Sequence, residues 1–329
     1  MMKLNENMTI ADWLDYWFDT FVKSTVKRAT AVSYTGYITN HIAPQIGLYK
    51  LSDVNTSVVQ KYFNYEMENG NLKNGSGLSP KTLHNIRMML HKAFEKAVEL
   101  ELLAKNYIEY VELPRMVKPE IHILSEQEQK RMFEELTHTD EALYFGVYLS
   151  LCTGMRMGEV LGLRWSDVDF DDNVIHIRRT VNRLEAVNGK KKTEIVVGTP
   201  KSENAIRDIP ITDKMHDEFI KYMFKVKERL NIKVLKDTDY VLMLRKGFPT
   251  EPKTMQNIYY RIRTAAGIKN NVTFHGLRHT FATRAVERGV DIKTLSVLLG
   301  HSDVSFTLSR YTHISDKQKR DAMSLIFDE

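Results

Sequence analysis

Residues 111–123, VELPRMVKPEIHI, hold two prolines and no helical period, so no single helix can run through them. Directly after this break, Ser125-Glu126-Gln127-Glu128 has the pattern of a capping box and opens a new helix. A chain of 329 residues is long enough to bury one core on each side. The reading that follows is a first domain over 1–110, a linker over 111–123 and a second domain over 124–329, with a C-terminal tail at 316–329.

The first domain reads as helices joined by polar turns. Ser79-Pro80 gives an N-cap with proline at the first helical position. After it, Leu83, Ile86, Leu90, Ala93, Phe94, Ala97, Val98 and Leu102 step by three and four along one face. Lys81, Arg87, Lys92 and Lys96 lie between them, placed for water or for a phosphate backbone. An earlier helix from about Thr9 through Phe21 carries Trp13, Leu14, Trp17 and Phe18, bulk that a small helical domain needs in its core. Asn74-Gly75-Ser76-Gly77 is a turn; with no Lys-Ser/Thr after it, it is not a phosphate-binding loop.

In the second domain the helical pattern runs to Leu161. Val174–Arg178, Thr193–Val197 and Ile206–Ile211 then read as short strands, with Asn188-Gly189 as a hairpin turn. Helical signal resumes at Thr212, apart from an apolar run at Tyr240–Leu244. The expected class is mainly α with a small antiparallel β-sheet.

Composition narrows the function. A single cysteine cannot close an intrachain disulfide, no apolar run approaches about 18 residues, and the start MMKLNENMTI lacks the pattern of a signal peptide. A reducing cytoplasm is the expected compartment, with no membrane partner. The net charge is +5, and residues 178–207 alone, with eight basic and three acidic side chains, carry a local net of +5. That window holds Arg178, Arg179, Arg183, Lys190, Lys191, Lys192, Lys201 and Arg207; by itself it fits phosphate contact and simple solvation equally.

Four segments of the second domain set cations, histidines or hydroxyls at turns and helix ends: TGMRMGEVLGLRW (153–165), TPKSENAIRDIPI (199–211), FHGLRHTFATR (274–284) and LLGHSDVSFTLSRYTH (298–313). Arg156 and Glu159 lie one turn apart, a spacing that lets a carboxylate hold a guanidinium in plane; a surface ion pair has the same spacing. His275 and Arg278 share the spacing of three. His275 and His279 at i,i+4 resemble a metal pair, but the zinc-hydrolase pattern needs Glu where Gly276 stands, and no metal or cofactor is expected. His301 follows Gly300, a probable helix C-cap, and Tyr311 lies ten residues on.

Together, and in this order, the four segments resemble the tyrosine recombinases, the site-specific DNA recombinases that include phage and conjugative-transposon integrases. The resemblance covers the second domain closely and extends to the first, which looks like the family's helical core-DNA-binding domain. It implies that Arg156, Lys201, His275, Arg278 and His301 are catalytic, that Glu159 supports Arg156, and that Tyr311 is the nucleophile. Gly276 departs from the acidic residue that many relatives carry, and no room precedes Thr9 for the arm-binding domain of many integrases.

The implied activity is integration or excision of a mobile element through a covalent 3′-phosphotyrosyl intermediate, without metal or ATP. The implied partners are double-stranded DNA attachment sites, three further copies in a tetramer on DNA, and an excisionase or DNA-bending accessory protein, in a bacterial cytoplasm at the nucleoid. In this reading two domains form a C-shaped clamp, with Lys81, Arg87, Lys92, Arg178, Arg179, Lys190, Lys191 and Lys192 on phosphates. The apolar tail residues Ala322, Met323, Leu325, Ile326 and Phe327 would dock on a neighbouring protomer, or pack on their own domain. A nicking-closing activity like that of type IB topoisomerases, and a non-catalytic DNA-binding regulator, are the alternative functions.

Overall fold

The computed structural model describes residues 5, 7–116, 121–185, 193–200, 203–301 and 304–305. The chain divides between Pro119 and Glu120 into two compact units. In the first, five α-helices follow one another: α1 (Ile10–Trp17), α2 (Arg28–Tyr37), α3 (Ala43–Ile46), α4 (Thr56–Asn69) and α5 (Pro80–Glu99). Thr9 and Asp12 close a capping box at the start of α1, which continues into a π-helical turn over Phe18–Val22. Ser79 caps α5 with Pro80 in the first turn. The expected face of α5 is buried at Leu83, Ile86, Leu90, Ala93, Phe94 and Ala97, and Met89 joins it. Trp13, Leu14 and Trp17 pack in this core, and Trp13 Nε1 donates to the Ala93 carbonyl at 3.1 Å, which satisfies its polar atom while its rings fill the interior.

The segment read as a linker is packed at both ends. Val111 is buried in the first core, and the Glu112 amide donates to Gln60 Oε1 at 2.9 Å. At the other end Asn270 Nδ2 donates to the Ile123 carbonyl at 3.0 Å, Arg284 Nη2 donates to the Leu124 carbonyl at 2.8 Å, and the Leu124 amide donates to Thr280 Oγ1 at 3.0 Å.

The second unit begins with α6 (Glu126–His138), opened by the Ser125–Glu128 capping box, then α7 (Tyr144–Thr153) and α8 (Met157–Gly162). All but one of the α7 residues are buried, so this apolar helix is the centre of the unit. Phe145 stacks on Tyr222 at 4.6 Å and meets Phe219 edge-on at 4.7 Å. Five strands follow: β1 (Val168–Asp169), β2 (Val174–Ile177), β3 (Thr180–Glu185), β4 (Thr193–Gly198) and β5 (Arg207–Pro210). Among the described residues four more helices follow: α9 (Asp213–Arg229), α10 (Pro252–Ala265), α11 (Phe274–Glu287) and α12 (Ile292–Leu299).

The sheet differs from the sequence reading. There are two antiparallel sheets, β1-β2-β5 and the ribbon β3-β4, where one was expected. Strand β3, TVNRLE, escaped notice because its only fully buried apolar side chain is Val181 and its pattern is otherwise polar. The β3–β4 register ends at Glu185↔Thr193; Asn188-Gly189 and the lysines 190–192 lie outside the described residues. The apolar run at Tyr240–Leu244 is no strand: residues 240–243 are buried, with an isolated bridge between Tyr240 and Arg164. Cys152 is a partly buried core neighbour, its thiol pushed up to about 11 by burial.

Thr280 joins α11 to the incoming chain, accepting from Leu124 N–H and donating to the Gly276 carbonyl at 2.9 Å. Replacing Thr280→Val keeps the shape and strands the Leu124 amide in a buried site. It should cost about 1–3 kcal/mol in urea unfolding, and an unchanged midpoint would show that Asn270 and Arg284 hold the segment without it.

Candidate active site

The site is built on the C-terminal end of α12. Gly300 closes that helix with φ 64°, the left-handed conformation that a glycine adopts without steric cost. The turn presents the carbonyls of Leu298, Leu299 and Gly300, where a helix end concentrates partial negative charge. Three guanidiniums from three other elements meet them.

Arg156 precedes α8 as its cap. Its Nη1 donates to Glu159 Oε1 at 2.7 Å, its own amide donates to Glu159 Oε2 at 2.9 Å, and its outer nitrogens reach the Leu299 and Gly300 carbonyls at 3.5 Å. Its side chain remains 37% exposed, unlike the buried Glu159. Arg278, in α11, is 2% exposed: Nη1 donates to the Gly154 carbonyl at 2.9 Å, and Nη2 to the Leu299 carbonyl and to His301 Nε2, both at 2.7 Å. The i,i+3 spacing of Arg156 and Glu159 is therefore a partly buried pair rather than a solvated one.

His301 follows the Gly300 turn, its amide bonded to the Ser296 carbonyl at 3.0 Å. A guanidinium can only donate, so His301 Nε2 accepts and the ring proton sits on Nδ1. Burial, then the charges of Arg278, Arg156 and Arg207, lower the imidazole to about 4, so it is neutral at physiological pH. It offers an N–H donor with no charge of its own.

His275 lies in the first turn of α11, exposed, its ring edge-on to that of the buried His279 at 4.8 Å. Gly276, where an acidic side chain was noted as usual, has no room for one: a Cβ there would lie 2.8 Å from the His122 carbonyl and 2.6 Å from Val272 Cγ1. The glycine is what lets the 121–124 segment lie along α11. Lys201 and Tyr311, expected to complete the site, lie outside the described residues.

One site residue was missed as such. Arg207 had been grouped with the basic window, yet its side chain is 4% exposed and bonds Glu159 Oε2 at 3.0 Å, the Leu298 carbonyl at 2.6 Å and the Ala205 carbonyl at 3.1 Å. The signal was present: Arg207 sits two and four residues before Ile209 and Ile211, in phase with the inward face of β5. Burial pushes the Glu159 carboxyl up, but Arg207 and then Arg156 outweigh it and hold the group below the usual carboxylate range. Among the described residues, three guanidiniums, those of Arg156, Arg207 and Arg278, gather at the α12 turn, and Glu159 is bonded to two of them.

The residues expected on phosphates divide. Lys81, Lys92 and Arg178 are exposed. Arg87 turns onto the Ile108 and Glu109 carbonyls of its own unit, at 3.3 and 3.2 Å, and Arg179 pairs with the buried Asp167. Arg183 of the ribbon forms a two-point contact with Glu251 at the start of α10.

Residues 122–318 match the phage integrase family, and residues 9–67 match the phage integrase N-terminal SAM-like domain. A tyrosine recombinase XerC-like protein of Caldanaerobacter subterraneus subsp. tengcongensis is 30% identical, over 98% of this chain and 84% of that one. The ICEBs1 integrase of Bacillus subtilis is 28% identical, over 76% of this chain and 66% of its own. Among solved structures, the Tn1549 transposon integrase in complex with a circular intermediate DNA superposes with a TM-score of 0.79 at 20% identity, covering 97% of this chain and 99% of that one.

The His301 ring makes folding pH-dependent in a defined window. An unfolded histidine takes up its proton near 6.5 and the folded one only near 4, so the stability His301 contributes should fall as pH drops from about 6.5 to about 4. Glu159, whose folded value is lowered from 4.5, contributes stability that is present above 4.5 and is lost as pH falls below it, so its loss extends the decline to lower pH. His301→Gln should flatten the upper window in urea midpoints measured across it; an unchanged slope would show that His301 is not the group responsible.

Proposed function

The chain belongs to the phage integrase family, as a tyrosine recombinase acting in the site-specific integration of mobile elements, and on that premise we propose that it cuts and rejoins DNA through a covalent 3′-phosphotyrosyl bond to Tyr311, without metal or ATP. The observation that carries this reading is the convergence of two guanidiniums, Arg156 and Arg278, and the neutral His301 on one turn.

A phosphodiester repels nucleophiles through its own charge, and its leaving alkoxide is strongly basic. Arg156 and Arg278 would bind the non-bridging oxygens, and His301 would donate Nδ1–H to one of them as charge grows in the pentavalent transition state. The Tyr311 hydroxyl would attack phosphorus while His275 takes its proton, because the phenol is a weak nucleophile when protonated. The P–O5′ bond would break, with Lys201 giving its proton to the departing 5′ oxygen. One P–O bond forms as one breaks, so the linkage energy is kept for the 5′ hydroxyl of another strand to reverse the step.

The substrate would be double-stranded DNA attachment sites, gripped by both units through Lys81, Lys92, Arg178 and the lysines 190–192, with Arg87 and Arg179 contributing less because both are engaged within their units. Strand exchange would take four copies on two sites; a structure of lambda integrase, with a TM-score of 0.63 and 20% identity, is a tetramer bound to a Holliday junction. An excisionase or DNA-bending protein would set direction, and the 316–329 tail would dock between protomers. No helix among the described residues is long and apolar enough to cross a membrane, and a nucleoid location in the cytoplasm is part of this proposal.

Incubated with a nicked suicide substrate in EDTA and without ATP, the protein should give a denaturant-resistant adduct on Tyr311. Tyr311→Phe should keep its gel-shift affinity and form none. An adduct in that variant would assign the nucleophile elsewhere, and a requirement for divalent metal would overturn the metal-free chemistry.

A further inference from the structure

Arg207 is 4% exposed, too deep to meet DNA, and is not among the residues to which the resemblance gives a role. Its fork nevertheless touches three separate stretches: the Glu159 carboxylate that holds Arg156, the Leu298 carbonyl two residues before Gly300, and the Ala205 carbonyl just before β5. Gly300 is shaped to this contact, since a Cβ on it would lie 3.0 Å from Arg207 Nη1 and 3.1 Å from the Ala205 Cα. We propose that Arg207 is a positioning residue for phosphoryl transfer, which locks Arg156, the Gly300–His301 turn and the backbone at Ala205 into one register.

The role follows from the residue type. A lysine could neutralise Glu159 but, as a point charge, could not span two carbonyls as well; the planar guanidinium reaches all three acceptors from one strand position. A buried charge in β5 would be costly without partners, and it has one carboxylate and two carbonyls. Glu159 depends on it in turn. Without Arg207 the carboxylate keeps a single cation, Arg156, whose hold on its outward geometry is then no longer shared. Removing Arg207 therefore acts on catalysis through Glu159 and the α12 turn, with no loss of a DNA contact.

The proposal rests on the recombinase reading, and single-turnover cleavage of a saturating nicked suicide substrate separates the two. Wild-type protein is the shared control: absence of a Tyr311 adduct there overturns the chemistry and this role with it. Given that adduct, Arg207→Met should slow its formation on the order of a hundredfold at unchanged gel-shift affinity. The acid limb of its pH–rate profile should move to higher pH, because Glu159 then takes up a proton more readily. The double variant Glu159→Gln, Arg207→Met should lose less than the product of the two single losses, since no buried carboxylate is left uncompensated. A rate for Arg207→Met within about twofold of wild type, or an unmoved acid limb with singly multiplying losses, overturns the positioning role while the adduct chemistry stands. Where Arg207→Met melts too low to assay, Arg207→Lys decides: intermediate slowing is expected from one point charge, and a wild-type rate overturns the three-way hold.

Discussion

The C-terminal carbonyls of α12 organise the second unit. A helix end buried among side chains leaves acceptors that must be paired, and here Leu298, Leu299 and Gly300 take their donors from Arg207, Arg278 and Arg156. These arginines come from β5, α11 and the cap of α8, so a single turn ties three distant stretches of sequence together. The left-handed Gly300 makes the close approach possible, and Gly154, also left-handed, turns its carbonyl to Arg278 from the end of α7. Three guanidiniums are thus positioned by backbone acceptors that every sequence possesses, at a place that glycine opens.

How much could be read in advance depended on whether a signal was local. The Ser79-Pro80 start of α5, the Ser125–Glu128 box and the buried face of α5 are written in neighbouring residues, and the structure forms them there. Arg156, Glu159, His275, Arg278 and His301 stood out because each sits at a helix end or turn within a short motif. Arg207 did not, because its three acceptors lie 2, 48 and 91 residues away and a count of charge cannot tell a buried cation from a solvated one. Strand β3 was passed over for a related reason: the ribbon β3–β4 is polar on most of its surface, so the alternation that betrays a half-buried strand is missing.

The histidines show the same division between type and environment. The sequence places His275 and His301 in the same category of titratable group near an arginine. In the structure His301 is half-buried and faces cations, which deny it a proton, whereas His275 is exposed in the first turn of α11. A neutral ring with a fixed Nδ1 proton is suited to donate a hydrogen bond, and an exposed imidazole is suited to exchange one with a nucleophile. The two environments differ in burial while the residue type is the same.

The choice of partners for the arginines bears on function more than their number does. Had carboxylates held all three guanidiniums, the cluster would be rigid and electrically neutral, with little to offer an anion. Carbonyls orient a guanidinium through the same donor geometry without cancelling its charge. Glu159 is the carboxylate bonded to both Arg156 and Arg207, while Arg278 donates to the Gly154 and Leu299 carbonyls and to the neutral His301. Cations held close together repel, and an arriving oxyanion would relieve that repulsion. In the proposed function the α12 turn would hold positive charge in place ahead of its ligand, as a transition state gaining negative charge requires of a preorganised site.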